Sequence, residues 1–337
     1  MKPPALFRPN QPAFSQQYAA IKEQSLTAGS LLPGTPGSLQ LRRGTGYAYW
    51  YRVYYPVPGK QTETLVGREG DSAAENAMRA QMDFAESTAR QVGMLRKLGF
   101  LVADKISARA LVELHNLGAF EAGLLIGGRL GCIAWLNELG ARVRLPAGET
   151  VSPQLELLAL TDFFKHGLAA KLPLVAGSDS STPSACHGAI ELPGLLPIPA
   201  SLLIGDHADI SDSPLAWLAT IIPDHDYLST DPAPGAVLAG SHCIPVRLPQ
   251  AARLVWHQLS ASPQYLAPVA DIERRLALAL AAALLAQDPW AMLTAWETAP
   301  SAITEPIRPL RETLLASAAA HPDLQDLLAD CLGGTAS

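Results

Sequence analysis

Apolar positions along this chain change period several times, and each change marks an element. Between Tyr49 and Val66 two runs of strand-forming residues flank Pro58-Gly59-Lys60, which predicts a β-hairpin of Tyr49–Val57 and Gln61–Val66. From Asp71 or Ser72, either of which can cap a helix, the period lengthens. Ala77, Met78, Met82, Ala85, Ala89, Val92 and Leu95 recur at helical spacing and predict a long helix to about Leu98. A second helix is expected from Ser107 to Leu117, then a strand at Gly123–Ile126, a helix from Gly128 to about Leu139, and strands near 142–145 and 154–160. Residues 161–170 read as a helix, with Thr161 or Asp162 as its cap.

The middle of the chain, 172–247, alternates short β-like runs with Pro- and Gly-rich turns, interrupted by one amphipathic helix from Pro214 to Ile222. From Pro249 onward Ala- and Leu-rich segments at 249–261, 268–287, 289–298 and 306–331 are helical in period. Residues 26–46, rich in Gly, Pro, Ser and Thr, read as loop or linker. The pattern predicts an α+β protein in three parts: an extension, hairpin and long helix over 1–105, a core over 106–248, and a helical bundle over 249–337.

With 337 residues, 48 % of them apolar, the chain can bury a large core. A formal net charge of −6 argues against a mainly electrostatic nucleic-acid binder. The N-terminal Met1–Pro9 stretch lacks an apolar core of the kind signal peptides carry, and the apolar run near 276–286 is too short to span a bilayer, so a cytoplasmic, non-membrane protein is expected. Cys132, Cys186, Cys243 and Cys331 are dispersed, which fits reduced thiols.

Several patterns carry candidate chemistry. Gly127-Gly128, at a strand-to-helix turn, lets backbone N–H groups approach a triphosphate, and the helix N-terminus favours its charge. On the strand after it, Gln154 and Glu156 share one face, where two acids would hold Mg²⁺. Arg142 and Arg144 lie between these motifs and suit phosphate contact or a plain exposed strand. Gly177-Ser178-Asp179-Ser180-Ser181 is a second candidate phosphate loop, although its composition favours a turn. Asp224-His225-Asp226 with His207, Asp209 and Asp212 invites a metal-phosphohydrolase reading, but prolines and glycines around it favour a solvated loop. Cys186-His187 and His242-Cys243 would form a zinc site only if their strands were neighbours. Aromatic residues Tyr47, Tyr49, Trp50, Tyr51, Tyr54 and Tyr55 interleave with Arg42, Arg43, Arg52 and Lys60, a pattern shared by base-stacking surfaces and by sheets packed on a helix.

The order of Tyr49-Trp50-Tyr51-Arg52, Gly123-Leu124-Leu125-Ile126-Gly127-Gly128, Ser213-Pro214-Leu215-Ala216-Trp217-Leu218 and Ile244-Pro245-Val246-Arg247-Leu248-Pro249-Gln250-Ala251-Ala252-Arg253 resembles an uncharacterised bacterial nucleotidyltransferase-like family of the polymerase-β-type superfamily. The resemblance implies a mixed sheet holding Mg²⁺ and an NTP, with transfer of a nucleoside monophosphate to a protein, RNA or small-molecule acceptor. It implies Gly127, Gly128 and Arg129 at the triphosphate, Gln154 and Glu156 where the family has two Asp, and Glu191 as the third acid. The family's His-Lys-Leu corresponds to His257-Gln258-Leu259. With Gln154 and Gln258 in place of charged residues, weak or lost transfer is expected, or a non-catalytic protein that binds nucleotide, nucleic acid or protein.

Overall fold

A computed structural model describes residues 4–57, 59–144, 154–166, 169–176, 188–193, 196–208, 215, 219–265 and 269–333. A two-residue strand, β1 (Arg8–Pro9), precedes helix α1 (Pro12–Thr27), which buries only Tyr18, Ile21 and Ser25. So narrow a stripe leaves little helical period to read. Strands β2 (Ser38–Gly44), β3 (Tyr47–Val57) and β4 (Lys60–Arg68) form an antiparallel sheet of that order. The expected hairpin is β3–β4. Part of the segment expected as loop is instead strand β2, ordered by its seven paired positions with β3 rather than by its own composition.

Helix α2 (Ser72–Lys97) starts where Asp71 accepts a hydrogen bond from the Ala74 N–H at 3.0 Å, with Glu75 in its first turn and Arg96 and Lys97 in its last. Helix α3 (Lys105–Asn116) begins two residues before the expected Ser107, because the Asp104 carboxylate accepts from the Ile106 and Ser107 N–H groups. Next come β5 (Leu124–Ile126), α4 (Gly128–Glu138), β6 (Ala141–Arg142), which pairs with β1, and β7 (Leu155–Ala159). A short 3₁₀ helix at Thr161–His166 leads on to β8 (Leu174–Ala176), β9 (Gly188–Ile190), β10 (Ile198–Ile204) and β11 (Ala219–Ile221).

The central sheet is mixed. β7 pairs antiparallel with β5 and parallel with β10. The other edge of β10 is shared by β9, antiparallel to its first half, and β11, parallel to its second. Residues 219–221, expected in a helix, are extended because β10 offers their backbone groups partners. Pro214, Ala216, Trp217 and Leu218 of that expected helix lie outside the described residues.

Helix α5 (His225–Ser229) precedes a two-stranded ribbon, β12 (Ala233–Ala239) and β13 (His242–Leu248), turned at Gly240-Ser241. The ribbon is buried on both faces. Ala236, Leu238 and Cys243 meet α1 and α2, while Val237, Ala239, Ile244 and Val246 join the main core. Helices α6 (Ala251–Ala261), α7 (Val269–Leu285), α8 (Ala291–Glu297), α9 (Ser301–Ile307), α10 (Arg311–Ala318) and α11 (Pro322–Gly333) complete the chain. The helix expected over 306–331 is broken at Pro309 and Pro322, where an N–H needed for a continuous ladder is missing. One hydrophobic cluster runs from Leu6 to Leu332, across the sequence boundaries at 105 and 248. Among the described residues, no helix is long and apolar enough to cross a membrane.

Arg52, one of the basic residues interleaved with the aromatics, is 2 % exposed. Its guanidinium donates to the carbonyls of Pro33, Thr35 and Pro36 at 2.8, 2.6 and 2.9 Å, and it lies over the Tyr54 ring. Burial pulls its pKa down to about 10, still charged at neutral pH. Trp50 is half-buried, with the Arg79 guanidinium of α2 5.9 Å from its ring. Arg52→Ala strips three carbonyls of their donor, so it should lower the unfolding free energy by at least about 2 kcal/mol in a urea titration. An unchanged midpoint would show that Arg52 does not hold the 33–36 loop.

Candidate functional site

Gly127 and Gly128 occupy the end of β5 and the start of α4, as their position in the sequence predicts. The Gly127 N–H donates to the Glu156 carbonyl on the neighbouring β7 at 2.9 Å. What approaches the glycines is the Glu156 side chain. A Cβ at Gly127 would lie 2.6 Å from Glu156 Oε1 and from Leu158 Cδ1, and one at Gly128, whose φ is +56°, would lie 3.0 Å from Glu156 Cβ. The glycine pair therefore admits a carboxylate at the N-terminus of α4, where the helix dipole favours a negative charge.

Glu156 does not stand alone. His257, on α6, places Nε2 3.5 Å from Glu156 Oε1 and donates from Nδ1 to Asp224 Oδ2 at 2.7 Å. The Glu156 contact is a long ion pair without hydrogen-bond alignment, since Oε1 has no aligned donor among the described residues. All three side chains are about nine-tenths buried. Burial pulls the His257 pKa down, but the hydrogen bond to Asp224 and the two carboxylate charges outweigh it and raise the pKa to about 10. Burial likewise raises the Asp224 pKa, and the His257 hydrogen bond and charge more than reverse this, leaving it below the ordinary value. At neutral pH His257 is an imidazolium held between Asp224 and Glu156.

The elements that carry it are bolted together. His225 is buried and Nε2 contacts the Ala159 carbonyl at the end of β7 at 3.0 Å, so Asp224 and His225 tie the start of α5 to α6 and to the sheet. Arg253, one turn before His257, donates to the Tyr227 carbonyl at 2.8 Å, and Trp256 donates to the Met292 carbonyl at 3.0 Å. The segment read from sequence as a solvated loop is thus buried at Asp224 and His225, because packing on β7 and α6 supplies partners that flanking prolines and glycines cannot reveal. Asp226 and His207 remain exposed, and Asp209 and Asp212 lie outside the described residues.

The other expected positions scatter. Gln154 donates from Nε2 to Ser201 Oγ on β10 at 3.0 Å, and Ser201 is level with Glu156 in the parallel register. Glu191 is exposed beyond the end of β9. Its strand is separated from β7 by β10, and the pairing of Ile190 with Ile198 sets Glu191 on the order of 13 Å along the strand from the level of Glu156. The expected pairing of Glu156 and Glu191 on one metal is therefore not assembled; register puts Ser201 there instead. Arg129 turns to Glu273 of α7, at 2.7 Å with both side chains largely buried. Arg142 lies across Gly99 and donates to the Leu98 carbonyl at 3.4 Å, while Arg144 is exposed, so neither joins the glycine turn.

Cys132, on α4, is a neutral thiol whose pKa is raised first by burial and then by the charges of Glu273 and Glu156. Among the described residues no group of three His, Cys, Asp or Glu side chains is placed to hold a metal ion. Gly177–Ser181 and Cys186-His187 fall outside the described residues; His242 contacts the Leu32 carbonyl through Nε2 and Cys243 is buried in the ribbon. Sequence reasoning singled out His257 only through a short motif and set Asp224 aside.

His257→Ala should lower the unfolding free energy by about 3–5 kcal/mol, because it leaves two carboxylates buried without their counter-charge. Since the folded pKa of His257 lies above its unfolded 6.5, its contribution is complete below about pH 6.5 and lost as pH rises toward 10. The Asp224 contribution has the opposite sign, being present above the unfolded 3.8 and lost as pH falls through its lower folded value. Denaturant titrations between pH 6.5 and 10 should show a declining stability that His257→Gln lacks. Equal slopes would remove the imidazolium from the account. Gly127→Ala should cost about 1–3 kcal/mol by overpacking against Glu156 and Leu158.

No family model, no curated protein and no solved structure matches this chain.

Proposed function

We propose that the chain is a nucleotidyltransferase-like protein that acts by binding rather than by nucleotidyl transfer. The reading is supported by the run of β5, Gly127-Gly128 and α4 beside a strand that carries Glu156, with β10 parallel to that strand. The observation that carries the loss of transfer is the trio Gln154, Glu156 and Ser201. These are the side chains that the register of β7 and β10 sets side by side, and only one is a carboxylate. One acid neutralises too little of a divalent cation's charge to hold Mg²⁺ on a triphosphate.

Two further features favour the same conclusion. Glu156 sits at the α4 N-terminus, where an incoming phosphate would meet its charge. His257, protonated at neutral pH, cannot take a proton from an acceptor hydroxyl. Under this reading, incubation with Mg²⁺ and each of the four α-labelled NTPs leaves no product above that of Glu156→Gln. Mg²⁺-dependent incorporation that Glu156→Gln abolishes would establish an active transferase instead. The double variant Gln154→Asp/Ser201→Asp should gain a Mg²⁺-dependent rise in melting temperature that the parent protein lacks.

A further inference from the structure

A cavity of about 470 Å³ lies away from the buried cluster, between the three-stranded sheet and the β12–β13 ribbon. Its size falls in the range of small-molecule sites, roughly 300–1,000 Å³. Its walls come from the 34–36 loop, the end of β3, Ala89 of α2, the first two turns of α3, and the Gly240–His242 turn.

The walls are fixed before any ligand arrives. Arg52 holds the 33–36 loop by three carbonyls, and Thr35 is paired to Tyr55 through both its backbone N–H and its side chain, each at 3.0 Å. Gly34, with φ +74°, lies so close on the Tyr55 carbonyl that a Cβ would collide with it. On the opposite side His242 Nε2 contacts the Leu32 carbonyl at 2.9 Å, closing the loop onto the ribbon. A cavity framed by such contacts loses little entropy on binding.

Its chemistry is uneven. Pro36, Tyr55, Pro56, Ala89 and Ala108 supply flat or small apolar surface. Lys105 and Arg109, one turn apart on α3, both line it, and no Asp or Glu does among the described residues. Arg109 is paired to Glu113, and Asp104 directs its carboxylate at the α3 N–H groups, which leaves Lys105 as the exposed cation at the rim. Buried Arg52 adds a positive charge behind the loop. The His242 pKa is lowered first by burial and then by the charges of Arg52 and Arg109, against the Leu32 carbonyl, in keeping with a positive local field.

We propose that this cavity binds a flat, apolar small molecule carrying one anionic group, with its body between Tyr55, the prolines and Ala89, and its anion at Lys105. This site is independent of the reading given to the Glu156–His257–Asp224 cluster.

The aromatic sulfonate 1-anilinonaphthalene-8-sulfonate is a suitable probe, titrated by fluorescence into the full chain. Saturable binding at one site per chain is expected, weakening as salt is added. Lys105→Glu, at an exposed position, should weaken it at least about tenfold with an unchanged melting temperature. Ala89→Trp, which fills the cavity, should abolish it. The uncharged N-phenyl-1-naphthylamine should bind the parent protein more weakly and ignore Lys105→Glu. Absence of saturable sulfonate binding, or equal binding by the parent protein, Lys105→Glu and Ala89→Trp, would overturn the proposal. Should Ala89→Trp melt early, the Lys105→Glu comparison alone decides.

Discussion

The proton on His257 is held from outside its own helix. Asp224, from the turn before α5, accepts it at Nδ1, and Glu156, from the central sheet, faces Nε2 across 3.5 Å. Sheet, turn and helix therefore meet at one charged group. Removing charges from water is costly, and the attraction between them offsets that cost only when the geometry is kept. The positions of α5 and α6 against β7 are tied to that condition: His225 reaches the Ala159 carbonyl on one side and Arg253 the Tyr227 carbonyl on the other.

The same constraint accounts for the glycines. A strand running into Gly-Gly and a helix is a common way to bring backbone N–H groups up to a phosphate, but in this chain the Gly127 N–H is donated to the Glu156 carbonyl. The space above the turn is taken by the protein's own carboxylate. Glu156 gains the helix dipole and the imidazolium together, so the cluster is close to electrostatically self-sufficient. Arg129, next along the helix, is engaged by Glu273 and leaves the turn without an added cation.

The N-terminal sheet follows a different logic. Its arginine Arg52 is turned inward to organise a loop, and its aromatic residues range from a buried Tyr54 through half-buried Tyr49, Trp50 and Tyr51 to exposed rings at Tyr47 and Tyr55. One consequence of that inward turn is a loop held to the ribbon through His242 and Leu32, with a cationic helix start beside it. A cavity of this kind arises where two packed units meet imperfectly, and the sequence of neither unit announces it.

The sequence by itself determined the elements whose signals are local. The α2 period, a cap at Asp71 or Ser72, the β5–Gly127–Gly128–α4 turn and the β3–β4 hairpin follow from side-chain spacing, capping chemistry and turn residues within a few residues. It also singled out Glu156. Tertiary structure alone decided what Glu156 meets, because sheet register is set by pairing and not by any one strand. That register placed Ser201 rather than Glu191 beside it, made a strand of Ala219–Ile221, and gave β2 a partner in β3. It also carried Asp224 inward. Whether a carboxylate near a proline is solvated or buried depends on what packs over it, here His257 from 33 residues further along the chain, and no local pattern contains that information.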